Sequence, residues 1–220
     1  MITVHYAQSL DGRIATRSGD SQWIGGEESL LLAHRLRGSH DAVLVGVGTV
    51  IADNPRLTTR LVQAPSPRRI VVDSRLRLPR TAHVLTDGAA PTTIVTTTDA
   101  PQALRRELAR DGVDVLVAAA DPARRVNLGD MVRLLEQTGV HSLLVEGGAS
   151  IITSFLRARL CDRLVICVAP RLIGKGIEAV GDLGTERLSD ALGFLRANFT
   201  PCGEDIVFDG EIARAAELAG

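Results

Sequence analysis

Hydrophobic and polar positions follow two rhythms along this chain. Short runs with apolar centres recur at residues 41–46, 69–73, 92–96, 113–118 and 142–145. Runs of that kind suit strands buried on both faces of a parallel sheet. Between them the apolar spacing shifts to three and four. Leu31, Leu32 and Leu36 mark a helix over residues 27–38, with Gly38 as its stop. Asp99, Ala100 and Pro101 open a helix that runs to Arg110, with Gly112 as its stop. Asn127 caps another whose Leu128, Met131 and Leu135 form the apolar stripe, ending near Gly139. A short helical turn follows residues 41–46 and reaches Asp53, where Asn54 and Pro55 break it. Residues 2–7 make a first strand; Ser9, Leu10, Asp11 and Gly12 make a turn, and residues 13–16 a second short strand. Residues 18–25, 56–67 and the basic, proline-containing stretch after Asp73 read as loops.

The rhythm changes in the last third. Residues 161–170 and 199–210 are apolar with period two and lack a good helix between them, which predicts antiparallel strands at one edge. Residues 188–191 read as a short link and 211–220 as an Ala/Glu-rich tail. The whole pattern predicts an α/β fold: a mostly parallel sheet with helices on both faces and antiparallel C-terminal edge strands. With 220 residues, no repeat and no linker-like stretch, residues 1–220 are expected to form a single domain.

Composition narrows the function. At 45% hydrophobic the chain can bury a sizeable core, and a net charge of -1 gives no footprint for nucleic acid or a membrane surface. An aromatic content of 3% leaves little for base stacking. The three cysteines, Cys161, Cys167 and Cys202, lack metal-type spacing, which fits packed thiols in a reducing cytoplasm. The N-terminus lacks signal-peptide features, and no apolar run approaches the roughly 20 residues that span a bilayer. His5, His34, His40, His83 and His141 show no ligand spacing, so no metal site is expected. There is no Walker-type loop and no six-residue glycine fingerprint of the usual dinucleotide fold.

One stretch stands out. Residues 143–160 run from an apolar strand through Glu146, Gly147 and Gly148 into a helix with Ile151, Ile152, Phe155, Leu156 and Leu160 on one face. A strand, a glycine turn and a helix N-terminus aim backbone N–H groups and a positive dipole end at one point, which suits a phosphate. A second glycine turn, Gly46, Gly48 and Thr49, follows another strand. Asp11, Ser21, Trp23, Thr49, Asp53, Arg60, Asp73, Ser74 and Glu146 each end or follow an apolar run, and the carboxyl ends of parallel strands are where such sheets bind ligands. Each also has a plain structural alternative: Asp11 and Asp73-Ser74 as turns, Trp23 as core, Asp53 as a helix end. Composition and spacing thus point to an α/β protein that binds a phosphate-bearing small molecule.

Several segments together resemble the pyrimidine reductase domain of riboflavin biosynthesis, the C-terminal half of a bifunctional deaminase–reductase. They are residues 7–15, 19–24, Leu36-Arg37, 41–50, Ala52-Asp53-Asn54-Pro55-Arg56-Leu57-Thr58 with Arg60, 69–74, 145–148, 170–174 and 203–209. The resemblance implies a dihydrofolate-reductase-like αβα fold, here as a free-standing reductase domain. It implies NADPH as hydride donor and, as substrate, a ribosylamino-pyrimidine 5′-phosphate whose ribosyl group becomes ribityl. By residue-to-residue carry-over, Ser21, Arg37, Leu57, Arg60 and Glu146 would contact substrate. Ala7, Trp23, Thr49, Asp53, Ser74 and the turn and helix start of Gly148, Ala149, Ser150, Ile151, Ile152, Thr153 and Ser154 would contact the cofactor. The ribosylamine must open to an imine, and hydride then adds at the sugar's C1; Asp11 and Asp53 are the candidate donors of the proton to nitrogen. Arg13 stands where many relatives have lysine. The family commonly pairs, so a homodimer is expected. The substrate could be taken before or after deamination, and a related NADPH-dependent reductase for another pterin-like heterocycle is the alternative.

Overall fold

The computed structural model describes residues 1–213. In chain order the elements are β1 (Ile2–Ser9), β2 (Arg13–Thr16), α1 (Glu27–Gly38), β3 (Ala42–Gly46), α2 (Val47–Asp53), β4 (Arg68–Val72), α3 (His83–Thr86), β5 (Thr92–Thr96) and α4 (Gln102–Arg110). They continue with β6 (Asp114–Val117), α5 (Leu128–Gln137), β7 (Leu143–Gly147), α6 (Ala149–Arg157), β8 (Arg163–Ala169), β9 (Gly176–Glu178), β10 (Phe194–Cys202) and β11 (Asp205–Ile212). The chain forms two compact units, one from Met1–Ala33 and the chain from Val145 on, the other from His34–Leu144.

In the second unit β3, β4, β5 and β6 lie side by side and wholly parallel, with Val45 opposite Val71 and Val72 opposite Val95. Every residue of β3 and β5 is buried, as the short apolar runs predict for strands covered on both faces. Leu44, Ile70 and Ile94 lose all contact with solvent, and Met131 and Leu135 of α5 join the core through the predicted stripe. The Asn127 side chain accepts the N–H of Asp130, so α5 begins where the sequence places its cap.

In the first unit β1 pairs parallel with β8, and β11 runs antiparallel to both β8 and β10, leaving β10 at the edge. This is the mostly parallel arrangement with antiparallel C-terminal strands that the change of rhythm predicts. A small antiparallel sheet joins β2 to β9. There a Cβ on Gly176 would lie 2.4 Å from the carbonyl oxygen of Ala15, so only glycine fits.

Four expectations need correction. Residues 199–210 are not one strand but a hairpin: β10 ends at Cys202, the chain turns through Gly203 at φ +61°, and β11 returns. Pro201 is compatible with this because β10 is an edge strand. Within the loop after Asp73 lies the single helical turn α3. The loop after β8 contains the three-residue β9. Glu211 and Ile212 of the expected tail belong to β11, and its remainder beyond Ala213 lies outside the described residues.

Candidate functional site

The second unit builds a cationic loop from the end of α2. Asn54 leaves the helix in the left-handed region at φ +41°. Its side-chain oxygen accepts the N–H of His83 at 2.8 Å, and its carbonyl lies 2.9 Å from His83 Nδ1. After Pro55 the chain passes through Leu57, buried and also left-handed at φ +55°. A leucine side chain sunk in the core presents only its backbone to a ligand. Thr58 then gathers two arginines: Arg37 Nη1 donates to its carbonyl at 3.1 Å and Arg60 Nη1 to its hydroxyl at 3.0 Å. Partial burial first, and then the charges of Arg37 and Arg56, push the Arg60 guanidinium below its ordinary pKa. Among the described residues no carboxylate pairs with Arg60. A guanidinium crowded by like charges and met by no carboxylate is the kind of group that an anion can answer.

Arg37, Leu57 and Arg60 are thus brought together, as the resemblance implies, and Arg56 joins them from the same matched segment. Thr49 sits half-buried in the first turn of α2, and Asp53 is exposed at its end. Ser74 follows β4, where the Asp73 carboxylate accepts the N–H of Leu78 at 2.8 Å and shapes the turn. The Ser74 hydroxyl accepts the N–H of Val126 at 3.1 Å, and its carbonyl accepts from Thr97 Oγ1.

In the first unit β7 ends at Glu146, half-buried, and Gly147 at φ +123°. That φ requires glycine. The Gly147–Gly148 peptide is cis. α6 follows with Gly148 as N-cap and no side chain capping it. The N–H groups of Ile151 and Ile152 reach back to the Gly148 carbonyl. Ala149 and Ser150 therefore present the first-turn N–H groups and the positive dipole end outward. Ile152 is buried, so within residues 148–154 its side chain serves packing and not contact. Thr153 Oγ1 accepts the N–H of Gly181 at 2.9 Å, while Ile151 and Ser154 are half-buried.

The loop with Ser21 and Trp23 is anchored on β11. The buried Asp205 carboxylate accepts the N–H of Gly26 at 2.7 Å and the Ser29 hydroxyl at 2.5 Å, holding the N-terminus of α1. A Cβ on Gly25 would meet Asp205, Ser29 and Ala7, which fixes that turn over β1. Trp23 is 67% exposed and left-handed at φ +63°. It is therefore not a core aromatic: a bulky residue held in that region with its ring in solvent is an uncommon conformation that marks the loop.

Asp11 is held by three donors. Its carboxylate accepts the Ser9 hydroxyl at 2.6 Å and the N–H groups of Ile173 and Gly174 at 3.1 and 2.6 Å. These bonds, Ser9's first, pull its pKa down to about 2. A carboxylate so committed ties a turn to the loop after β8 and makes a poor proton donor near neutral pH. Arg13 does similar work: its Nε donates to the Gly174 carbonyl at 3.0 Å and its guanidinium pairs with Glu178 at 2.7 Å.

Three residues that shape these sites carried no sequence signal of their own. Arg56 lay inside a matched motif, Asp205 inside another, and Arg69 reads as an arginine at a strand's start. Among the described residues, no cluster of three or more His, Cys, Asp or Glu side chains could hold a metal ion, and no helix is long and apolar enough to cross a membrane.

Comparison with known proteins agrees with this arrangement. The model of the RibD C-terminal domain matches residues 1–208. The riboflavin biosynthesis protein RibD of Aquifex aeolicus is 39% identical over 207 residues, 94% of this chain and 56% of that protein. The chain thus spans a little over half the length of such relatives. The 2,5-diamino-6-ribosylamino-4(3H)-pyrimidinone 5′-phosphate reductase of Methanothermobacter thermautotrophicus is 39% identical over 215 residues, covering 94% of this chain and 96% of the relative. Among solved structures, Acinetobacter baumannii RibD superposes with a TM-score of 0.81 at 28% identity, over 97% of this chain and 58% of that one. A dihydrofolate reductase from Enterococcus faecalis, 10% identical, superposes with a TM-score of 0.51 over 97% of each chain and shows the shared fold alone. The match across nearly all of the chain, with the arginine loop and the glycine turn inside it, places this protein in the RibD C-terminal domain family.

Proposed function

We propose that this chain is the NADPH-dependent reductase of riboflavin biosynthesis, converting the ribosyl group of a ribosylamino-pyrimidine 5′-phosphate to ribityl. The observation that carries the reading is the arginine loop: Arg37 and Arg60 both held on Thr58, with Arg56 beside them and no acid on Arg60. Planar guanidinium forks suit oxyanions, a phosphate or a carboxylate, through paired N–H donors. The name of the Methanothermobacter relative, which this chain matches almost end to end, supplies the phosphorylated substrate class. The whole chain then acts as one reductase domain, and both the diamino-pyrimidine and its deaminated form fit the site chemistry.

The residues fit a dinucleotide cofactor. The uncapped start of α6, with Gly147 and Gly148 before it, can receive a diphosphate on the N–H groups of Ala149 and Ser150. By carry-over from the family, the first unit offers Ala7 and the Trp23 ring face to the cofactor, and the second offers Thr49, Asp53 and Ser74. NADPH, when bound, would supply the hydride. The protein's part is to orient and to steer charge. Of the substrate positions, Arg37, the Leu57 backbone and Arg60 belong to the second unit, where the arginines suit the phosphate, and Ser21 and Glu146 to the first, where they suit the sugar and pyrimidine. Asp53, at the end of α2, is proposed as the acid that delivers a proton to the imine nitrogen, directly or through water. The buried thiols of Cys161 and Cys167, pushed up to about 12 and 11 by burial, suit a reducing cytoplasm.

The test is Arg60→Ala. Loss of a charge-assisted contact should raise KM for the phosphorylated substrate by about tenfold or more, while the Kd for NADPH stays within about twofold. An unchanged KM would remove the phosphate assignment.

A further inference from the structure

Arg69 is among the most buried side chains of the described residues, with 1% of its surface exposed. An isolated guanidinium at such depth would be very costly, so its surroundings must answer its donors. They do so from two separate segments. Its Nε donates to Thr92 Oγ1 at 3.0 Å, and Thr92 in turn donates to the Val84 carbonyl at 2.6 Å. Nη2 donates to the Ala90 carbonyl at 2.6 Å. Nη1 donates to Asp87 Oδ1 at 2.7 Å and to the Arg56 carbonyl at 3.4 Å. The other oxygen of Asp87 lies 3.5 Å from Arg56 Nη1. One buried cation therefore holds both the segment from α3 to β5 and the backbone of the arginine loop. Asp87 meets Arg69 on one side and Arg56 on the other.

The same loop is pinned a second time, two residues earlier, where Asn54 takes both the N–H and the ring of His83. Between and beyond these pins lie left-handed Leu57, then Thr58 and Arg60. A loop that must hold several like charges together tends to splay, and fixing its backbone in advance lowers the ordering cost when an anion binds. We infer that Arg69 is a positioning residue for the anion site, with Asp87 as the counter-charge that sets Arg56. Arg69 acts through the Arg56 backbone and touches no ligand. This rests on the phosphate reading of the arginine loop.

The experiment compares Arg69→Lys, Arg69→Met, Asp87→Asn and Arg60→Ala in the intact chain. KM for the ribosylamino-pyrimidine phosphate, Kd for NADPH and the thermal midpoint are measured for each. Lysine keeps the charge but cannot reach four acceptors on two segments. The expected result is a KM raised about tenfold in Arg69→Met and less in Arg69→Lys, with NADPH affinity within about twofold of native. Should the Arg69 variants fail to fold, Asp87→Asn, which keeps the shape and removes the charge, decides on the same readout. A purely structural Arg69 would lower the thermal midpoint and the active fraction and leave KM of the folded enzyme unchanged. That outcome, with Arg60→Ala still raising KM, overturns this inference and spares the phosphate reading. An unchanged KM in Arg60→Ala overturns both.

Discussion

Single residues decide the chemistry here, and the sequence marked some of them for the right reason and others not. Arg37 and Arg60 were legible because their neighbours match a family motif, and the structure adds why they act together: both are held on Thr58. Asp11 was legible only as a polar residue after a strand. Whether such a residue donates protons or ties a turn depends on donors far along the chain, Ile173 and Gly174, which no local pattern reveals. Its assignment as a tie has a measurable consequence. The folded-state pKa of about 2 lies below the ordinary 3.8. The contribution is therefore fully present above that ordinary value and is lost as pH falls toward about 2. Between about pH 5 and 2 the melting temperature of the native protein should fall more steeply than that of Asp11→Asn, while the variant keeps the native pH profile of turnover near neutrality. Parallel melting profiles, or a turnover profile displaced in Asp11→Asn, would return Asp11 to the reaction.

At the scale of elements, the long periodic segments were readable and the short ones were not. β3, β4 and β5 announced themselves as apolar runs, and α5 through its stripe and cap. α3 spans four residues and β9 three, too few for any period to show. Both are held by tertiary contacts, α3 through Asn54 and β9 through its pairing with β2. The β10–β11 hairpin was hidden because Thr200, Pro201 and Cys202 precede a single glycine and continue the period-two rhythm. β10 leaves Phe199 71% exposed at the edge of its sheet. An edge strand with an exposed aromatic invites cover by a second chain. A homodimer, expected because the family commonly pairs, would cover that edge. Light scattering should give about twice the 23.4 kDa chain mass, and Phe199→Glu should shift it toward one copy. A mass near one chain for the native protein would remove the dimer.

For the whole molecule, a mostly parallel sheet with antiparallel C-terminal strands was readable from the order of rhythms, and the family from motifs spread over the chain. Its division into two compact units was not, because no linker, repeat or composition shift marks the passages near Ala33 and Val145. Each unit carries part of the proposed chemistry: the arginine loop in one, the glycine turn and α6 start in the other. Phosphorylated substrate and dinucleotide are both required by that reading, so turnover tests it more directly than binding of either alone. The decisive measurement is NADPH consumption with the two ribosylamino-pyrimidine 5′-phosphates, deaminated and not, read alongside formation of the ribitylamino product. The account predicts stoichiometric oxidation of NADPH with at least one of them, and the preferred one fixes the order of reduction and deamination. NADPH that binds without reducing either would contradict the substrate, and a chain that does not bind NADPH at all would contradict the proposed function itself.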